Sequence, residues 1–360
     1  MKTTFWAGLL VLAAAAGCGG HSARGSAQNS GGQPTSATGG TSNDVGASNE
    51  AGAAGRDTRE PPVRCPATCP STCQDDRCVE VLAANLRSPT ALALTRAAAY
   101  FSTSIGIMTV GKTGGSPDVF VSTMDEGRAG ALAVDGTYAY WSGSYDSKLM
   151  RAALATGAPE VLAEAQGSLS AIALDSTAIY WSNWQDGTIS TMPKSGGAPT
   201  VLTAAARHPS ALALDANRIY WSEDVETDGA VVAMPLGGGP PVTLAALQDA
   251  PRGLALDATH VFWTATFDKT VCRVPLAGGP FEVLSKGTAY PERLVVDGVS
   301  VYWIGDYCVQ KVRSSGGTAQ RLPGDEFPND LAVDETSVYF LNDGQGGPEG
   351  NGTLIKLTPK

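Results

Sequence analysis

The chain is 360 residues long, 43% hydrophobic and 17% charged, with a formal charge of −10 and three histidines. That acidity excludes nucleic acid and bare anionic membrane as electrostatic partners, and it suits solubility and a basic or neutral partner. With His21, His208 and His260 as its whole stock of imidazoles, the chain also has little material for histidine-based catalysis.

Lys2 stands before an apolar run from Phe5 to Ala16 that ends in Ala15-Ala16-Gly17-Cys18. A short basic start, about a dozen apolar residues and small residues before the break make a secretory signal, not a membrane span. Cys18 directly after Gly17 resembles the bacterial lipobox, which implies a lipidated Cys18 as the new N-terminus. Ala15 stands where that pattern usually has Leu, so ordinary cleavage after the Ala-Ala-Ala run is the fallback. By the same resemblance, Gly19 rather than Asp after Cys18 implies sorting to the outer membrane. Residues 19–60 are mostly Gly, Ser, Ala, Thr and Asn. They cannot bury enough apolar surface to offset chain entropy, so they read as a flexible tether holding a folded domain clear of a bilayer.

Cys65, Cys69, Cys73 and Cys78 follow in the segment 61–78, among Pro61, Pro62, Pro66 and Pro70. Their spacing does not match the paired C-x2-C ribbons of zinc modules. In an exported chain they are expected to form two disulfides, with three pairings open.

From Val79 onward one phrase recurs. Its aromatic dipeptide falls at Tyr100-Phe101, Tyr140-Trp141, Tyr180-Trp181, Tyr220-Trp221, Phe262-Trp263, Tyr302-Trp303 and Tyr339-Phe340, at intervals of 40, 40, 40, 42, 40 and 37 residues. Such a period marks an array whose units bury their apolar faces against one another. Between Glu160 and Pro199 lie four short runs, Val161-Leu162, Ala171–Leu174, Ile179–Ser182 and Thr188–Met192, separated by Gly, Asp, Asn and Pro clusters. No run is long enough for a globular helix, so each repeat reads as four antiparallel strands, the content of a propeller blade. The runs are nearly continuous in apolar residues, which means burial on both faces, and a blade packed between two neighbours supplies that environment. Tyr and Trp of one dipeptide must point to opposite faces. The Trp residues are therefore expected to be core rather than a sugar-stacking platform.

The first repeat carries a spare strand, Val79–Leu82, and the last ends on Gly352–Leu357 without an outer strand. Pairing the two would close the ring and remove both edges. The expected fold is all-β, a seven-bladed propeller over residues 79–360 whose last blade joins three C-terminal strands to Val79–Ala83. The Asp that closes each inner strand (Asp135, Asp175, Asp215, Asp257, Asp297, Asp334) is expected to make the turn by bonding backbone amides, not to bind metal. Cys272 and Cys308 fall with the same parity near the third strands of successive repeats, which does not favour a direct bridge.

The Leu-Ala-Leu-Asp and Tyr-Trp phrases with the Gly-Gly-x-Pro turn resemble the YWTD and NHL propeller families, grouped with TolB-like six-bladed propellers. The resemblance covers residues 79–360. It departs in having seven repeats, and in placing Ser142, Ser182, Ser222, Thr264, Ile304 and Leu341 at the fourth YWTD position, so that family's Asp contacts do not carry over.

In such a meander the loops entering the inner strand and those leaving the aromatic strand share one end, the usual ligand face of propellers. The second set carries Tyr145, Asp146, Trp184, Asp186, Asp224, Phe267, Asp268, Asp306 and Tyr307, an acidic face studded with aromatics that would suit a cationic, peptide or glycan partner. Enzyme signatures are absent: no G-x-S-x-G, no H-E-x-x-H, no phosphate loop. His208 and His260 fall at opposite ends of a blade, and only His208 is on the end that the virginiamycin-inactivating lyases of seven blades would use. Asp224–Gly229 begins like a calcium loop, but Pro235 occupies the position of its bidentate Glu.

The expectation is an exported, lipid-anchored monomer that binds a protein, peptide or glycan at the cell envelope, with no cofactor and no membrane contact beyond its anchor. The alternative is a propeller enzyme of the lyase or lactonase kind with a metal-assisted site at the channel mouth. Converging acids at that mouth would favour the enzyme; small and apolar walls would favour the binder. An envelope-assembly scaffold is a third reading, by analogy of architecture alone.

Overall fold

The structure, a computed structural model, describes residue 69 and residues 72–122, 129–143, 148–164, 166–324, 327–344 and 351–360. Each repeat forms a four-stranded antiparallel sheet. In blade 3 the strands run Leu169–Leu174, Ala178–Asn183, Thr188–Pro193 and Thr200–Thr203 from inside to outside. The turn into the outer strand uses Gly196 and Gly197 at φ +92° and +133°, backbone that L side chains rarely adopt. Each inner strand lies against the next, and the inner strand of blade 7, Pro328–Val333, lies against that of blade 1, Leu92–Leu94. The ring is closed, and the fold is a seven-bladed β-propeller.

The closure is the expected one with an addition. Blade 7 comprises Pro328–Val333, Val338–Asn342, Gly352–Thr358 and the N-terminal strand Arg77–Leu86, which pairs with Gly352–Thr358 from Cys78↔Thr358 to Leu86↔Gly352. A short fifth strand, Thr72–Gln74, folds back on Arg77–Leu86. Cys69 and Cys78 form a disulfide that pins this edge, and Cys73 is disulfide-bonded as well. Cys65 and the lipidation candidate Cys18 lie outside the described residues. Cys272 and Cys308 are buried thiols, not a disulfide.

The aromatic dipeptides do what alternation requires. Tyr180 of blade 3 packs with Trp221 of blade 4, Tyr220 with Trp263 of blade 5, and Phe262 with Trp303 of blade 6. At the seam Tyr339 of blade 7 meets Phe101 of blade 1, with Leu82 and Leu86 of the N-terminal strand in the same cluster. Trp141, Trp181, Trp221, Trp263 and Trp303 are at most 1% exposed. The core is thus seven inter-blade layers rather than one central mass.

The recurrent Asp closes its turn as its chemistry predicts. Asp175 Oδ1 accepts the amides of Thr177 (2.6 Å) and Ala178 (2.7 Å), and the same pair of bonds recurs at Asp135, Asp215, Asp257, Asp297 and Asp334. The other oxygen does something the sequence did not announce. In five of the six it accepts the hydroxyl of the Tyr five residues on, as in Tyr220 to Asp215 (2.6 Å) and Tyr339 to Asp334 (2.9 Å); Asp257 has Phe262 there instead. Three of these carboxylates also take a lysine from the following blade or the C-terminus: Lys194 on Asp135 at 2.8 Å, Lys112 on Asp334 at 3.0 Å and Lys360 on Asp297 at 2.9 Å.

Burial alone would raise these six carboxyls, but the amides, hydroxyls and lysines outweigh it and hold every one below the ordinary carboxylate value. Groups depressed in the folded state stabilise it fully above their unfolded value, about 3.9, and that contribution is lost as pH falls through the folded values. Thermal midpoints by circular dichroism should therefore hold level from pH 7 to about 5 and fall progressively below about pH 4. Asp334→Asn should blunt that acid decline; an unchanged decline in the variant would remove Asp334 from the account.

Candidate functional site

The inner strands carry a bulge near their start in blades 2, 3, 4, 5 and 7, for instance between Pro251 and Leu254. The bulge leaves an amide without its ladder partner. The Ser or Thr after the Trp fills it. Thr264 Oγ1 accepts the Gly253 amide at 2.8 Å and donates to the Glu292 carbonyl of the next blade at 2.7 Å. Ser222 likewise accepts from Ala211 and donates to Arg252 O at 3.0 Å. These hydroxyls stitch the inner strands around the channel. Blades 6 and 7 have Ile304 and Leu341 instead. In blade 7 a carboxylate substitutes: Asp330 Oδ2 accepts the Leu92 amide of blade 1 at 2.8 Å, and Asn329 donates to Pro89 O at 2.9 Å.

That substitution shows on the channel wall. Ten residues before each second-strand Trp or Phe, the wall residue is Ala91, Ala131, Ala171, Ala211 or Gly253 in blades 1 to 5. In blades 6 and 7 it is Arg293 and Asp330. The cavity they share holds about 170 Å³, with Leu132, Ile172, Leu212 and Leu254 completing its wall. Arg293 Nε lies 3.8 Å from Asp330 Oδ1. Burial pushes the Asp330 carboxyl up from its ordinary value against the pull of Arg293 and two backbone amides.

On the rim at the same end, the loops of blades 6 and 7 enclose a second, open cleft of about 440 Å³ lined by Tyr290, Glu292, Asp306, Tyr307, Phe327 and Asn329 among others. Glu292 and Asn329 face this cleft while their neighbours Arg293 and Asp330 face the channel, as strand alternation dictates. Tyr290, Asp306, Tyr307 and Phe327 all have left-handed backbone, at φ +49°, +55°, +60° and +55°. For non-glycine residues that costs about 1–3 kcal/mol each and persists only where the surroundings enforce it. Here they do. Asp306 N donates to Ala289 O, Asp306 Oδ1 accepts the Ala289 amide at 2.7 Å, and Phe327 N donates to Tyr307 O. Tyr290 and Tyr307 are each 60% exposed, and the Tyr307 and Phe327 rings lie 5.1 Å apart.

Of the ligand-face candidates read from sequence, Asp306 and Tyr307 meet in this cleft. Trp184 stacks on His208 with ring centroids 4.2 Å apart and an interplanar angle of 17°. The Asp186 carboxylate sits over Gly167. Asp224 accepts from Arg252 at 3.2 Å, and Arg252 also reaches Glu292 at 2.9 Å. Phe267 is exposed, and Asp268 accepts the Asp249 amide at 3.2 Å. Arg207 gathers Glu223 and Asp228. Many of the rim acids are thus already paired with Arg or backbone. Tyr145 and Asp146 lie outside the described residues. Among the described residues, no three His, Cys, Asp or Glu side chains gather in a geometry that would hold a metal ion. Tyr290, Phe327, Arg293 and Asp330 were not legible as site residues from loop composition. The last two could have been found as the one charged interruption in a column of Ala and Gly.

A closed seven-bladed propeller with an aromatic rim cleft and a small-residue channel is the class these features define. No protein-family model matches the chain, and no curated protein matches it. Solved structures do. A streptogramin B lyase is 13% identical, with a TM-score of 0.64 over 79% of this chain and 98% of its own. A catalytically inactive virginiamycin B lyase from Staphylococcus aureus with quinupristin is 11% identical, with a TM-score of 0.64 over 79% and 100%. The nidogen/laminin complex gives 21% identity and a TM-score of 0.52 over 60% and 89%. Likeness at these identities speaks for the fold alone.

Proposed function

We propose that this chain is an exported, lipid-anchored propeller that acts by binding rather than catalysis at the cell envelope, as a monomer presenting its blade 6–7 cleft to a protein, peptide or glycan partner. The observation that carries the reading is the cleft itself. Two exposed tyrosines and a phenylalanine are held in left-handed backbone at one rim position, where large rings ordinarily do not sit. Rings so held lose little further freedom on binding, and aromatic side chains dominate interface energetics. The signal and tether of the first 60 residues support export and anchoring.

In a Cys18→Ser background, which removes the anchor, Tyr290→Ala combined with Tyr307→Ala should weaken binding to isolated envelope fractions about tenfold or more, with an unchanged melting temperature because both rings are exposed. Binding equal to that of Cys18→Ser alone would sink the cleft as the contact. Cys18→Ser should move the protein from the membrane to the soluble fraction; if it stays membrane-bound, the lipid anchor is wrong. The alternative, a propeller enzyme of lyase or lactonase type, draws on the architecture shared with the streptogramin B lyase. It would need a base on this rim, where His208 is already stacked against Trp184.

A further inference from the structure

The channel pair does not rest on that reading. Arg293 has its five donors half exposed to the cavity (48% of the side chain), and its nearest carboxylate oxygen, at 3.8 Å, is beyond hydrogen-bonding distance. Asp330 is 16% exposed and is fixed by the Leu92 and Leu331 amides, which occupy one lone pair on each oxygen and leave one free on each. Five of seven blades put Ala or Gly at this level, so Arg293 and Asp330 are the two charged side chains among the described residues that line the cavity.

We propose that Arg293 and Asp330 form a binding site for a small α-amino acid, with its carboxylate on the guanidinium of Arg293, its ammonium on the carboxylate of Asp330, and its side chain among the Ala, Leu and Ile side chains of the opposite blades. Charge complementarity selects the zwitterion. A simple anion drawn to Arg293 would sit beside the buried Asp330 carboxylate, and a simple cation drawn to Asp330 would sit beside Arg293. Only a ligand carrying both charges on one carbon satisfies both and leaves the cavity neutral. Arg is suited to the carboxylate because its planar fork donates two parallel N–H bonds to it. An ammonium also favours the ionised Asp330, which burial otherwise disfavours. Size agrees: about 170 Å³ is well below the roughly 300–1,000 Å³ of pockets that hold drug-sized ligands. Ser170, a hydroxyl on the wall, is engaged by Ser182 Oγ and the Pro209 carbonyl, and the other neutral side chains of the lining are Ala, Leu, Ile and Val, which favours a short aliphatic side chain over a polar one.

Titration calorimetry and thermal shift on the full chain would use the twenty L-amino acids one at a time, with acetate and ethylamine as single-charge probes. At least one small aliphatic amino acid should bind, and acetate and ethylamine at the same concentration should not. Arg293→Met should weaken binding about tenfold or more, as loss of a charge-assisted bidentate contact implies. Ala171→Val, which narrows the cavity without touching the pair, should weaken it too and decides the matter if Arg293→Met fails to fold. Binding of acetate as tight as that of the amino acid, no binding across the panel, or a folded Arg293→Met that binds unaltered would each overturn the assignment.

Discussion

Deleting residues 79–86 should lower the thermal midpoint by 10 °C or more, taking about 2–4 °C per kcal/mol for a domain somewhat smaller than this one. Removal of eight residues from the 19–60 stretch should leave it unmoved. The deleted strand carries the N-terminus into blade 7 and holds the C-terminal strands by a backbone hydrogen-bond ladder, beside the seam bonds of Asp330 to Leu92 and Asn329 to Pro89. It supplies the outer edge of blade 7 through pairs such as Val79↔Leu357 and Val81↔Ile355. It also buries Leu82, Ala83 and Leu86 at 4%, 4% and 5% exposure against Phe101 and Tyr339. Burying two leucines and an alanine is worth about 4–7 kcal/mol, against a typical net stability of about 5–15 kcal/mol. The lost ladder bonds and the Glu80–Lys356 pair at 3.4 Å add to that. The deletion also uncovers the third strand of blade 7 as a bare edge, a template for association. A deleted chain should therefore melt early and aggregate on concentration, and a synthetic peptide spanning residues 72–86 should restore part of the midpoint. An unmoved midpoint would mean that the ring is not closed by this strand.

The features that recur were legible in the sequence because every blade repeats the same local solution. The 40-residue interval, the continuous apolar runs and the out-of-phase ends yield seven blades and their closure from composition and parity alone. The Asp turn was legible too, since an Asx turn is made by the residue with its own next amides. What was illegible depends on the neighbour across a blade interface. Nothing near Asp135 announces that Lys194, 59 residues on, will reach it. The role of Ser222 or Thr264 needs both the bulge beside it and the carbonyl of the next inner strand. The cleft was only half read, because Tyr290 and Phe327 take left-handed backbone that sequence normally advertises with Gly or Asn. For the cleft the missing information was the juxtaposition of loops from blades 6 and 7. Arg293 and Asp330 are different. They were visible as departures from a column of small residues, but a search for chemistry in the loops passes over an inner strand.

Trp181→Ala should destabilise the propeller by about 3–5 kcal/mol, whereas Trp184→Ala, three residues away, should stay within about 1 kcal/mol. The two indoles differ only in place. Trp181 is fully buried and lies between Tyr140 and Leu149 of blade 2 and Met192 of its own blade, so its removal leaves a cavity at a layer that joins two sheets. Trp184 is 40% exposed and rests on His208. Urea unfolding at constant slope would read both. The indole nitrogen refines the expectation. Trp263 Nε1 donates to Gln248 Oε1 at 3.0 Å, while Trp181 Nε1 is buried with no protein partner among the described residues. Trp263→Phe would thus strand a buried amide oxygen as well as shrink the ring, which adds about 1–3 kcal/mol. Trp181→Phe removes an unpaired donor along with the bulk, so its cost should be the smaller of the two. Equal losses for Trp181→Ala and Trp184→Ala would contradict a core built from layers between blades, because in that architecture a ring between two sheets carries stability and a ring in the rim turn after Asn183 does not.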